Sequence, residues 1–226
     1  MRKGIKSLLR IDAGAAFPLW LKLIAVLYLC IFVSYSWKNY GLQNFLWFSC
    51  VGVICTVLAL CLENRLLASM MLLSTFIADE VGWGGDFLFR LFFGWHPFGA
   101  TAYMFDQSLW LPGRAISLYH FVIPILLAWM VYKLRYDTRA LVMQSLLSTS
   151  VLLLSYTLTN PVNNINWVFG VGTQPQHYVP AWLYLIAEMI FIPLVFYLPV
   201  HLLLQKLGWH RSGAFQTPNA TAEPQA

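Results

Sequence analysis

The stretch NFLWFSCVGVICTVLALCL, Asn44 to Leu62, runs for 19 residues without a charged side chain. At 1.5 Å per residue, one helix of that length crosses the ~30 Å hydrocarbon core of a bilayer. Further stretches near 18–36, 66–83, 114–133, 140–159 and 181–204 have the same apolar character. The chain is 59% hydrophobic and 10% charged. Soluble domains run at about 45–50% and 25%, so an ordinary soluble domain is excluded. The expected fold is all-α: a single six-helix transmembrane bundle over 1–207. The polar residues 208–226 have the composition of a disordered cytoplasmic tail.

Where the charges fall fixes the expected threading. With the N-terminus inside, Arg2, Lys3, Lys6, Arg10, Arg65, Lys133, Arg135, Arg139, Lys206 and Arg211 are cytoplasmic. Lys38, Arg90 and Arg114 lie outside, and Lys22 snorkels from the inner end of the first span. This positive-inside bias requires an even number of spans and puts both chain ends in the cytoplasm. The net charge of +5 therefore orients the protein against anionic lipid, and no nucleic-acid partner is expected. The apolar segment behind MRKGIKSLLR is longer than a signal-peptide core and no A-x-A-like site follows it, so it reads as an anchor. Cys30, Cys50, Cys55 and Cys61 all lie in the first two spans without a C-x-x-C, as small buried hydrophobes do.

The scarce ionisable residues gather toward the non-cytoplasmic side. A charge in hydrocarbon costs at least about 2.5–3.5 kcal/mol, so each needs a task or a partner. The third span offers 13 apolar residues, Leu66 to Ala78, before Asp79 and Glu80. On a continuing helix Asp79, Trp83 and Asp86 share a face at i, i+4 and i+7, unless Gly84-Gly85 breaks it. Adjacent acids repel when both ionise, which raises at least one pKa. They read either as proton-handling carboxylates or as an acidic helix end wetted by the outer water. His120 lies six residues into the fourth span, four before Pro124, which removes the helical donor to its carbonyl. Interhelical hydrogen bonding is its plainer reading and acid–base work the sharper one. Glu188, in the last span, takes His120 as its first candidate partner. Gln144, Ser148, Ser155 and Thr159 form one polar stripe; the inner members suit close packing, while Ser155 and Thr159 can line a pocket.

Two outer segments stand out. DFLFRLFFGW, Asp86 to Trp95, has five aromatics in ten residues and reads as an interfacial or re-entrant helix. NPVNNINWVFG, Asn160 to Gly170, offers four asparagines and a tryptophan but no acid or base. Its first asparagines suit turns, and Asn164, Asn166 and Trp167 suit binding or lid packing. No metal-ligand spacing is present, and no cofactor is indicated.

The strings LQNFLWFS (42–49), YMFD (103–106), SLYH (117–120) and NINWVFG (164–170) resemble an uncharacterised family of bacterial multi-pass integral membrane proteins. That resemblance implies a bacterial cytoplasmic membrane and supplies no activity.

Three function classes follow. The first is a scaffold or sensor whose outward-facing polar pocket binds a lipid or partner protein, which accounts most simply for the absence of catalytic motifs. The second is an enzyme acting on a lipid or isoprenoid-type substrate at the outer leaflet. Its candidate catalytic residues are Glu80, His120, Asp79 and Glu188. Asn164, Asn166, Trp167, Trp83, Asp86, Ser155 and Thr159 are its candidate substrate contacts. The third is a small proton-coupled transporter using Glu188, His120 and Asp79 as a relay.

Overall fold

A backbone in hydrocarbon must satisfy its own hydrogen bonds, and helices do so within one segment. The computed structural model describes residues 16–77, 82–172 and 174–210, and every regular element among them is helical. Helix α1 (Leu19–Tyr40) stops at Gly41, whose φ of 76° suits a residue without Cβ. A 3-10 turn (Leu42–Leu46) leads to α2 (Phe48–Leu62) and α3 (Arg65–Ile77). Next come α4 (Gly85–Phe93) and the short α5 (Ala102–Phe105) and α6 (Leu111–Ile116). The chain continues with α7 (Tyr119–Leu134) and α8 (Ala140–Leu158). Finally α9 (Ala181–Phe191) runs through a π-helical segment (Ile192–Tyr197) into α10 (Leu198–Lys206).

Four helical stretches are long and apolar enough to cross a membrane: Leu19–Tyr40, Leu111–Leu134, Ala140–Leu158 and Ala181–Lys206. This is a membrane protein. The second apolar stretch forms a shorter helix than its sequence suggests. Trp47, with ψ 135°, separates the 3-10 turn from α2, so the 19 uncharged residues yield a 15-residue helix. Helix α3 is described over Arg65–Ile77. Asp79 and Glu80 lie outside the described residues, as do the basic N-terminal residues before 16 and the tail from 211.

Helix α3 is the centre of the bundle. Ala68, Ser69, Met71, Leu72, Leu73 and Thr75 are all buried, and it packs against α2, α7 and α8. A helix that is apolar all round belongs inside the protein. The long helices show the opposite pattern, exposing Leu23, Leu27 and Ile31 of α1, Val122 and Ile125 of α7, and Ile190 and Leu194 of the last stretch. Those apolar surfaces suit lipid.

The two ends of the bundle differ in chemistry. At one, Glu63 accepts from the N–H groups of Ala16 and Phe17 and from Lys22 Nζ at 2.7 Å. There Arg65 donates to the Tyr136 carbonyl (2.6 Å), and Asp137 N–H donates to Ser69 Oγ (2.9 Å). Tyr136 N–H reaches the Trp209 carbonyl, and its hydroxyl lies 2.6 Å from His201 Nδ1. Lys22, Arg65, Lys133, Arg135, Arg139 and Lys206 sit on or beside these ties, making a basic end. The other end carries α4, α5, α6 and the asparagine loop, here termed the crown.

Candidate functional site

Beneath the crown, aromatic rings close around one imidazole. His120, buried at the start of α7, stacks on Trp83 (centroids 4.5 Å, 11° between planes) and on Tyr119 (4.2 Å). Trp83 Nε1 donates to the Tyr103 hydroxyl at 3.0 Å, and Phe87 stacks on the indole's plane. Asn44 Nδ2 lies 3.6 Å from Cys50 Sγ, a weak bond to a buried thiol. Burial pushes the Tyr103 hydroxyl above its ordinary range, so it stays protonated and able to donate. Trp83 and His120 thus meet as neighbours. Tyr103, absent from the sequence-derived site, joins them; its only sequence signal is its place in YMFD.

Asp86 turns away from that cluster, although π-helical residues 82–84 run directly into α4 and Gly84 keeps helical angles. It is fully buried and organises the loop that follows. Its Oδ1 accepts from Phe98 N–H (2.8 Å) and Gly99 N–H (3.0 Å). Its Oδ2 accepts from Thr101 N–H (2.9 Å) and Thr101 Oγ1 (2.6 Å), and His96 Nδ1 lies 2.9 Å away. Burial alone would raise this carboxyl, but hydrogen bonds from Thr101, Phe98 and His96 outweigh it and hold the pKa down to about 2. His96 also went unmarked in the sequence, since a lone His-Pro after an aromatic helix carries no motif.

The asparagine loop braces itself. Asn164 Nδ2 donates to the carbonyls of Gly170 and Gly172, and its Oδ1 accepts from Phe169 N–H. Asn166 Oδ1 accepts from Phe48 N–H, and its Nδ2 donates to Leu46 O and Ser155 Oγ. Thr159 Oγ1 donates to Ser155 O. Both asparagines are buried at positive φ (41° and 56°), where asparagine is tolerated; half-buried Trp167, at 62°, is held there by its neighbours. These amides are fully occupied with backbone and Ser155. Glu188 stands apart. Helix α9 packs on α8 and on the π-helical segment, Glu188 Oε2 has no hydrogen-bond partner, and the expected pair with His120 does not form.

A groove of about 640 Å³ opens on the bundle surface at the crown end of α1, lined by Cys30, Ile31, Ser34, Tyr35, Lys38, Asn39 and Trp110. Tyr35 stacks on Trp110 with centroids 6.3 Å apart. Gly113 makes this possible, since a Cβ there would lie 1.9 Å from the Tyr35 hydroxyl. Lys38 is exposed and has no acidic partner among the described residues. No family model, no curated protein and no solved structure matches this chain. The resemblance carried by NINWVFG gains no support from them, and function must be argued from the geometry.

Proposed function

We propose that the protein is a six-pass membrane protein, with both ends cytoplasmic, that binds an anionic lipid at its non-cytoplasmic face as a scaffold or sensor. The groove on α1 carries this reading. It joins Ile31 and Cys30 to two stacked aromatic rings and to a cation with no acidic partner among the described residues, a chemistry suited to an acyl chain below a phosphate. The positive-inside pattern supports the orientation, since the described cations concentrate at the opposite, basic end. The bacterial cytoplasmic membrane rests on the sequence resemblance.

The test is retention of lipid by the purified chain in nanodiscs containing phosphatidylglycerol or phosphatidylcholine, read by native mass spectrometry. Wild type should retain phosphatidylglycerol selectively, and Lys38→Ala with Trp110→Ala should lower retention about tenfold. Equal retention of both lipids by wild type, or no loss in the double variant, overturns the proposal.

A further inference from the structure

The crown holds a second arrangement that lipid binding leaves unused. A carboxylate offers about four lone-pair sites, and Asp86 fills four of them with the loop: Phe98 N–H, Gly99 N–H, Thr101 N–H and Thr101 Oγ1. The loop is therefore braced without His96. Yet His96 Nδ1 is brought to 2.9 Å from Oδ2 as a fifth contact. An ionised carboxylate can only accept, so Nδ1 carries a proton, and in the neutral ring the lone pair sits on Nε2. Nε2 has no protein partner among the described residues, and the side chain keeps 20% of its surface open. A buried carboxylate fixing the tautomer of a partly exposed imidazole is the orienting half of a general base.

Its neighbourhood indicates what it would act on. The edge of Phe105 meets the His96 ring at 5.5 Å, and the Arg90 guanidinium lies 5.3 Å over the same Phe105 ring. A base and a fixed positive charge thus flank one aromatic side chain. Around them Phe92 and Phe93 of α4 and Trp95 and Phe98 of the loop after it are exposed, an apolar collar that suits the headgroup boundary of a bilayer. The bonds found at that depth in a lipid are acyl esters.

We propose that His96 is a catalytic general base for hydrolysis of an acyl ester at the membrane surface, with Asp86 as its positioning residue. Water gives a proton to His96 Nε2 as its oxygen bonds to the ester carbonyl carbon. Asp86 stabilises the imidazolium. The intermediate collapses by breaking the bond to the alcohol oxygen, which takes the proton back from Nε2. Water and ester become acid and alcohol, and His96 returns neutral. This inference shares the orientation of the crown with the lipid-binding reading but does not depend on the groove.

The experiment uses the full chain in phosphatidylglycerol nanodiscs with p-nitrophenyl octanoate, following nitrophenolate release. Wild type should hydrolyse the ester above empty nanodiscs, with His96→Gln slower by about 100-fold or more. Nitrogen-15 NMR of His96 should show the Nδ1–H tautomer in wild type and a mixture in Asp86→Asn, whose kcat falls with KM little changed. No release above empty nanodiscs, an undiminished His96→Gln with an unaltered melting temperature, or an Nε2–H tautomer in wild type each overturns it. Failure here alongside retained phosphatidylglycerol leaves the lipid-binding reading standing; the reverse pattern separates them the other way.

Discussion

Asn166 does at one position what a sequence reader assigns to a ligand. It joins the 3-10 turn, the first N–H of α2 and the hydroxyl of Ser155 with three hydrogen bonds. At about 1 kcal/mol each, Asn166→Ala should cost about 3 kcal/mol and lower the melting temperature in detergent, measured by differential scanning fluorimetry. The string was legible as special, but its purpose was not. An amide hydrogen-bonds a backbone carbonyl or a sugar equally well, and only the fold decides which is near. Gly113→Ala makes the complementary case: the new methyl displaces the Tyr35 ring from Trp110, so phosphatidylglycerol retention falls, and Tyr35→Leu in the same chain relieves the strain on folding. Asp86 sets a pH dependence. Its native pKa of about 2 lies below the ordinary 3.8, so its stabilising effect is complete above about pH 4. As pH falls through 4 toward 2 that effect is lost, and protease nicking of the 94–101 loop should rise over that window and not before.

Among the elements, α3 and α4 show where pattern reading succeeds and where it stops. A short helix after Gly84-Gly85 was legible from its aromatic spacing, and α4 spans Gly85–Phe93. For α3, the helical character of the apolar run from Leu66 was legible. Its central position was not, because an apolar helix reads the same whether lipid or protein surrounds it. Ser69 separates the two cases. It is fully buried, accepts from Asp137 N–H and donates to Arg65 O. Ser69→Leu adds volume to a packed centre and unties the α7–α8 connection, with an expected loss of about 2–4 kcal/mol. Leu23→Ala on the outer face of α1 should change the melting temperature far less. Similar losses for the two would contradict the central placement of α3.

For the molecule as a whole, the gathering of cations at one end was legible, because it depends on counting charges rather than on packing. The buried pairings were illegible for the opposite reason. Glu188 and His120 are each conspicuous in sequence, yet α9 packs on α8 while His120 looks toward Trp83. Which helices neighbour one another is not encoded in either helix alone. Reporter fusions test the threading: green fluorescent protein at either terminus should fluoresce in a bacterial host, and alkaline phosphatase in the 171–180 loop should be active. Termini on opposite sides would overturn both proposals, since the crown would lose its assigned face.

The Tyr136 knot at the basic end holds the last helix and the turn after it by two handles, the Trp209 carbonyl and His201 Nδ1. The covalent link to that helix, across the loop before Pro180, is therefore partly redundant. Two polypeptides divided near residue 175 and produced together should find each other and complement, whereas Tyr136→Phe, which deletes one handle, should weaken their reunion. Successful reunion would mark the molecule as two interlocking pieces that share a chain.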